Sequence, residues 1–246
     1  MKYFLVVMII VGNLYGVVSI SPVEIGDNPG FKGEVDGALD TKRGNTDSDS
    51  YTASMKLTYD NNVSYVVWSE LSFTYGEASG VKNANKTFAH IRYIHKLKKN
   101  LDWEAFVQSQ SNEFTKVDER LLGGGDLRIH VHSNRLGTLY FGVGGFFEYI
   151  TYTTSIDPNE NNVRASIYGA YKKAFTQETE LSYLLYYQPK MTNFNDYILL
   201  NILELKVLVY KQLFIHFNIN YREDSRPAIG VKSLDISQTT SFSYTF

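Results

Sequence analysis

An all-β fold, closed as a transmembrane antiparallel β-barrel of about 12 strands, is what the sequence predicts. Three observations predict it. From Phe31 onward, apolar and polar residues alternate with a period of two, as in strands with one greasy and one polar face. The chain ends Phe242-Ser243-Tyr244-Thr245-Phe246. A water-soluble sheet would leave such an aromatic edge open to other chains, whereas a closed ring pairs it with the first strand. Short and longer connections alternate along the chain, as when short turns face one compartment and longer loops the other.

Before the alternation begins, Lys2 precedes a mostly apolar run, Tyr3 to Val18, broken by Gly12, Asn13 and Gly16 and followed by the small Ser19. The run is short of the ~20 apolar residues a membrane helix needs, so residues 1–19 read as a secretory signal peptide. Residues 20–30, with Pro22, Gly26, Pro29 and Gly30, read as a periplasmic leader, and residues 31–246 as the barrel.

The strands then follow in order. Phe31, Val35 and Leu39 share one face against Lys32, Glu34, Asp36 and Asp40. Tyr51, Ala53, Met55, Leu57 and Tyr59 oppose Ser50, Thr52, Ser54, Lys56 and Thr58. Val63, Tyr65, Val67, Leu71, Phe73 and Tyr75 oppose Ser64, Trp68, Glu70, Ser72 and Thr74. Ala89, Ile91 and Tyr93 oppose His90 and Arg92, and Leu101, Trp103, Ala105 and Val107 oppose Asp102, Glu104 and Gln108. Leu127, Ile129 and Val131 oppose Asp126, Arg128, His130 and His132. Phe141, Val143, Phe147 and Tyr149 leave Glu148 inward; Val163, Ala165, Ile167 and Tyr171 oppose Arg164 and Lys172. Leu181, Tyr183, Leu185 and Tyr187 oppose Glu180, Ser182 and Gln188. Between 197 and 207 apolar residues stand on both faces and the register stays open, with Glu204 and Lys206 read as inward. Leu213, Ile215, Phe217, Ile219 and Tyr221 oppose His216, Asn218, Asn220 and Arg222. Tyrosines near strand ends suit a headgroup girdle.

Tight turns are expected near 60–62, 98–100, 133–135, 175–177 and 210–211. Longer connections are expected near 43–48, 76–85, 111–119, 153–162, 189–196 and 222–233. Both termini then fall on the periplasmic side.

Composition narrows the chemistry. The chain has no cysteine, which excludes disulfides and thiolate-held metals. A formal net charge of −2 provides no basic field for nucleic acid. Nineteen tyrosines and 15 phenylalanines against five prolines suit strands and aromatic belts.

The terminal Phe242, Tyr244 and Phe246 resemble the C-terminal signature of Gram-negative outer-membrane barrels, which the barrel-assembly machinery reads. A second resemblance is carried by Gly44-Asn45-Thr46-Asp47 after a glycine-rich strand, Tyr75-Gly76-Glu77 with Gly80 and Ala84-Asn85, Arg120-Leu121 and Gly123-Gly124-Gly125. It is similar to the salt-induced outer-membrane proteins, YdiY-like, a domain of unknown function. That resemblance implies an outer-membrane barrel and no catalytic residue. Outer-membrane lipid and lipopolysaccharide are then the expected partners, with the assembly machinery during biogenesis.

The candidate site is the lumen, lined by Glu70, His90, Arg92, Glu104, Asp126, Arg128, His130, His132, Glu148, Arg164, His216 and Arg222. Its acids and bases are near balance, so opposing walls could pair and fill the centre or line a small wet pore. The i, i+2 spacing of His130 and His132 puts both on one strand side, where a metal would also need Asp126, Glu148 or His90. Histidines in a polar lumen need no metal, and neither a metal nor a cofactor is expected. His132-Ser133 resembles the His/Ser lipid hydrolases of the outer membrane, but adjacent residues point to opposite sides of a strand, so no enzyme is expected. Gly123-Gly124-Gly125 lacks the Lys-Ser/Thr of a phosphate loop and reads as small residues at a strand crossing or bend. The expected function is a structural or small-solute-permeable barrel, with an osmotic link implied by the resemblance. The alternatives are an outer-membrane lipid hydrolase and a soluble periplasmic barrel holding an apolar ligand.

Overall fold

Twelve strands close into one ring in the computed structural model, which describes residues 22–42 and 48–246. The expected signal peptide and the connection at 43–47 lie outside the described residues. The strands are β1 (Gly30–Lys42), β2 (Ser48–Asp60), β3 (Tyr65–Ala78), β4 (Val81–Lys98), β5 (Leu101–Asn112) and β6 (Val117–Asn134), then β7 (Gly137–Tyr152), β8 (Glu160–Ala174), β9 (Thr179–Lys190), β10 (Asn193–Tyr210), β11 (Leu213–Asp224) and β12 (Leu234–Thr245). Each strand pairs antiparallel with its sequence neighbours, and β12 returns to β1. No helix among the described residues is long and apolar enough to cross a membrane. The strands, 12 to 18 residues long, exceed the roughly 9–11 residues a tilted strand needs to span a bilayer core.

Closure rests on the last residue. The register runs from Glu34↔Thr245 to Gly37↔Phe242, and Phe246 exchanges two backbone hydrogen bonds of 2.8 Å with Gly33. A Cβ on Gly33 would occupy the place of the Phe246 ring, so glycine here is a packing requirement. The described residues begin at Pro22 and end at Phe246 at the same end of the ring, called here the termini end.

The alternation sorts the side chains as the period requires. Phe31, Leu71, Phe73, Ile91, Val107, Phe147 and Ile219 project outward and are exposed. Outward tyrosines gather at both rims. Tyr59, Tyr65, Tyr93 and Trp103 form a chain of rings 5.7–6.1 Å apart near the termini end. At the other rim Tyr187 and Tyr197 are 5.7 Å apart, and Tyr197 and Tyr221 both donate to Glu223. Such rings suit an interface where one end meets lipid and the other water. In β10 the open register resolves with Ile198, Ile202, Glu204 and Lys206 inside and Leu199, Leu203 and Leu205 outside. Asn201 falls on the outer face, where its Oδ1 accepts from the Tyr183 hydroxyl at 2.7 Å.

Three connections differ from expectation. The stretch 111–119 shortens to four residues, 113–116, between β5 and β6. The stretches 76–85 and 189–196, read as longer loops, are strand extensions joined by two-residue turns, 79–80 and 191–192. Ser79 and Gly80 both have positive φ (51° and 75°), the geometry of a tight hairpin turn. The physical reason is that a strand with water on both faces loses its apolar alternation, so periodicity cannot report it. At this end only 153–159 and 225–233 are long among the described connections. The other end keeps short turns; at 61–64, Asn61 Oδ1 accepts from the N–H groups of Val63, Ser64 and Tyr65.

Candidate functional site: a lumen divided by a septum

The inward side chains line two cavities. A cavity of about 450 Å³ opens at the termini end and one of about 220 Å³ lies in the opposite half. Reaching into the lumen from β4 to β9 stands a septum of paired charges and rings. Arg92, on β4, donates to Glu104 on β5 at 3.0 Å and to the Tyr186 hydroxyl at 3.2 Å. Glu104 also accepts from the Tyr168 hydroxyl at 2.8 Å and lies 3.3 Å from Arg128. Arg128 in turn holds Asp102 at 2.7 Å, and His130 Nε2 meets the same carboxylate oxygen at 2.7 Å. Arg128 lies over the Tyr140 ring at 4.8 Å, and Arg92 over Phe106 at 5.0 Å. Asp102, Glu104, Asp126, Arg92 and Arg128 are all buried. Guanidinium groups suit this place, because a planar fork can serve several acceptors while its face packs on a ring.

Local sequence places these groups. Arg92, Glu104, Arg128, Tyr140, Tyr168 and Tyr186 all stand on the inward parity of their strands. Gly142, paired with Tyr168 across β7 and β8, leaves the space that the Tyr168 ring fills, since a Cβ there would collide with it. Gly124 likewise lies where a Cβ would meet Phe146, so the triple glycine allows close cross-strand packing.

The leader completes the closure at the termini end. Val23 and Ile25 pack against Val66, Trp68 and Ile94 inside the wall, and the Val23 carbonyl accepts from Arg128 at 2.9 Å. Asp60 pins the same segment by accepting from the Gly26 N–H at 2.7 Å and the Asn28 N–H at 3.3 Å. Lys172 reaches Asp27 at 3.2 Å. Burial and the neighbouring Asp27 carboxylate push the Glu24 carboxyl above the usual carboxylate range.

Of the residues expected in the lumen, Arg92, Glu104, Arg128 and His130 meet in the septum, with Asp126 buried beside Arg92. His90 stacks on Trp68 at 4.7 Å and bonds Gln108 at 3.0 Å. Glu148 accepts from Arg164 at 2.6 Å and pairs with Arg120 in the opposite half. Arg222 stands near that rim, 3.6 Å from Asp224. Glu70 and His216 line the termini-end cavity. His132 departs from expectation. A bulge between His130 and His132 sets it opposite Leu139, and cross-strand partners share a face, so His132 joins the outer side. The two histidines therefore do not converge on a metal with Asp126, Glu148 or His90. Ser133 Oγ is engaged with Thr138 at 3.1 Å, so His132-Ser133 is not a nucleophile–base pair.

Sequence reasoning missed the septum tyrosines. Their parity marked them as inward, but tyrosine was assigned to the rims.

Comparison with solved structures shows the fold. The COG4313 outer membrane channel from Pseudomonas putida F1 superposes with a TM-score of 0.53 at 10% identity, covering 94% of this chain and 100% of that one. The NanC porin gives a TM-score of 0.50 at 10% identity, covering 87% of this chain and 97% of that chain. No curated protein matches the sequence. The fold is that of the outer-membrane β-barrels, porin-like. Its family model matches residues 35–246, and the chain belongs to the family described as protein of unknown function, DUF481.

Proposed function

We propose that the protein is a non-catalytic permeability barrel for small polar solutes, closed at rest by its septum and leader. The observation that carries this reading is a pair of chambers lined by charged residues, with a layer of ion-paired side chains reaching into the lumen where they meet. A purely structural barrel has no need of two cavities opening toward opposite ends. Both termini are taken as periplasmic, after removal of residues 1–19. The short turns on their side and the longest described connections on the other support that orientation. Phe242, Tyr244 and Phe246, exposed together on the outer face, serve as the assembly signal. A link to osmotic response rests on the resemblance to salt-induced proteins.

Planar-bilayer recording tests the reading. The purified barrel should be mostly silent. Deleting residues 22–29 together with Tyr168→Ala and Tyr186→Ala should produce stepwise conductance. Silence in every variant, with heat-modifiable gel mobility retained, would leave a structural barrel. Steps in the native protein that these changes do not alter would place the path elsewhere.

A further inference from the structure

We propose that the termini-end chamber holds one divalent transition-metal ion on His216, Glu34 and Asp36. Glu34 and Asp36 share the inward face of β1 by their i, i+2 spacing, and His216 comes from β11. The strand between, β12, presents only the short Ser241, Ser243 and Thr245 inward at this level, so the longer side chains converge over it. His216 Nε2 lies 3.3 Å from Glu34 Oε1 and 3.9 Å from Asp36 Oδ1. One donor atom from each of the three residues falls within 4.8 Å of the others.

Independent observations also point to a cation. Glu70 Oε2 and Asn218 Oδ1 line the same cavity, and neither has a hydrogen-bond partner. Glu70 is 5% exposed and Asn218 4%. Such buried acceptors call for a donor or a positive ion. Around the three ligands stand the carboxylates Glu70 and Glu204 and the ammonium groups of Lys56 and Lys206. The imidazole is also oriented for the task. Its Nε2 hydrogen-bonds the Ser243 hydroxyl at 2.8 Å, a contact the metal would replace, and faces Glu34 and Asp36 beyond it, while its Nδ1 faces Glu204 Oε2 at 3.5 Å, the outer carboxylate that metal-binding histidines commonly use. An imidazole with carboxylates suits Zn²⁺ or Mn²⁺ better than Ca²⁺, which takes oxygen ligands.

The Ser243 hydroxyl also donates to Glu34 Oε1 at 2.7 Å, and Lys206 is the charged competitor. Its Nζ bonds both Glu34 oxygens at 2.7 and 2.9 Å and sits 4.5 Å from the Phe214 ring centroid. The metal would take its place on Glu34, and the flexible lysine keeps a seat over the ring.

The test is Co²⁺ titration of the tag-free, detergent-extracted barrel, read by visible absorption, with Zn²⁺ as competitor. One equivalent should bring up visible bands that Zn²⁺ removes. His216→Ala should weaken binding roughly 10–100-fold. Lys206→Gln should tighten it by about tenfold, the opposite sign from simple damage to the site. His95→Ala, on the outer face beside Tyr93, should change nothing. Each variant is checked for heat-modifiable mobility. Absence of bands in the native protein, bands unchanged in His216→Ala, or weaker binding in folded Lys206→Gln would each overturn the proposal. None of these readouts depends on conductance.

Discussion

The two chambers have opposite charge. The cavity at the termini end is lined by eight carboxylates and four lysines. The cavity in the other half carries Lys86, Arg120 and Arg222 against Asp235 on its lining, besides Arg92 of the septum, with Arg120 paired to Glu148 behind it. The chain's net charge of −2 therefore averages two opposed fields stacked along one axis. A low-dielectric wall focuses each field within its own half. The septum lies where the two meet, and it is neutralised internally: Arg92 and Arg128 face Glu104 and Asp102. A barrel with mixed charge along its whole bore would show weak preference. One with segregated charge sorts ions at each mouth and depends on the layer between.

The sharpest way to break this division is to remove Glu104. Glu104→Ala leaves Arg92 and Arg128 facing each other and the Tyr168 hydroxyl without its acceptor. A loss of about 3–5 kcal/mol is expected, since uncompensated buried charge is costly. It would be read as a lower temperature for the heat-modifiable transition, and an unchanged transition would show that the septum does not hold the wall together. Asp60→Ala loosens the leader, whose remaining septum contact is the Arg128 bond to the Val23 carbonyl. The expected cost is about 1–3 kcal/mol for the stranded N–H groups, seen as faster proteolysis before residue 30 with the barrel intact. Arg222→Glu alters the outer chamber alone. In a background with the septum opened, it should shift the reversal potential toward cations by a few millivolts to tens of millivolts. No shift would mean that the basic lining is electrically silent.

The smallest effect is expected at the exposed pair of Lys82 and Glu113, 2.6 Å apart. Glu113 opens a single 3-10 turn, Glu113–Thr115, between β5 and β6. Hydrogen bonds from Lys82 and Asn85 hold its carboxyl below the usual carboxylate range. A depressed carboxyl contributes above its ordinary titration range and loses that contribution as pH falls through the lower, folded value. Solvent and salt screen the pair, so Lys82→Gln should leave the thermal transition unmoved at neutral pH. A clear drop would show that the outer hairpin matters to the whole ring.

Much of the fold was legible because lipid permits only one face of each strand to be apolar. The parity of Leu71, Ile91, Val107, Phe147 and Ile219 named the outer wall, and the same parity named Glu70, Arg92, Glu104 and Glu148 as inward. Legibility failed where that constraint lapses. Strand residues near 76–85 stand beyond the need for alternation, so they read as loop. His132 follows a bulge, which shifts the register by one residue and changes the face. Tyr140, Tyr168 and Tyr186 were hidden because a tyrosine suits a rim and a buried hydrogen bond equally well.

Pattern alone determined the strand count, the face of nearly every residue and the closure of the last strand on the first, since a period of two and an unpaired aromatic edge have few physical solutions. Which charge meets which was decided by the ring. Lys206 and Glu34 are 172 positions apart and meet only because closure brings β1 back beside β12 and β11. Arg92 bonds Tyr186, 94 positions away, across the bore. Alternation says that a side chain points inward; the shear of the barrel, the reach of each side chain and the small residues beside it set what it touches there.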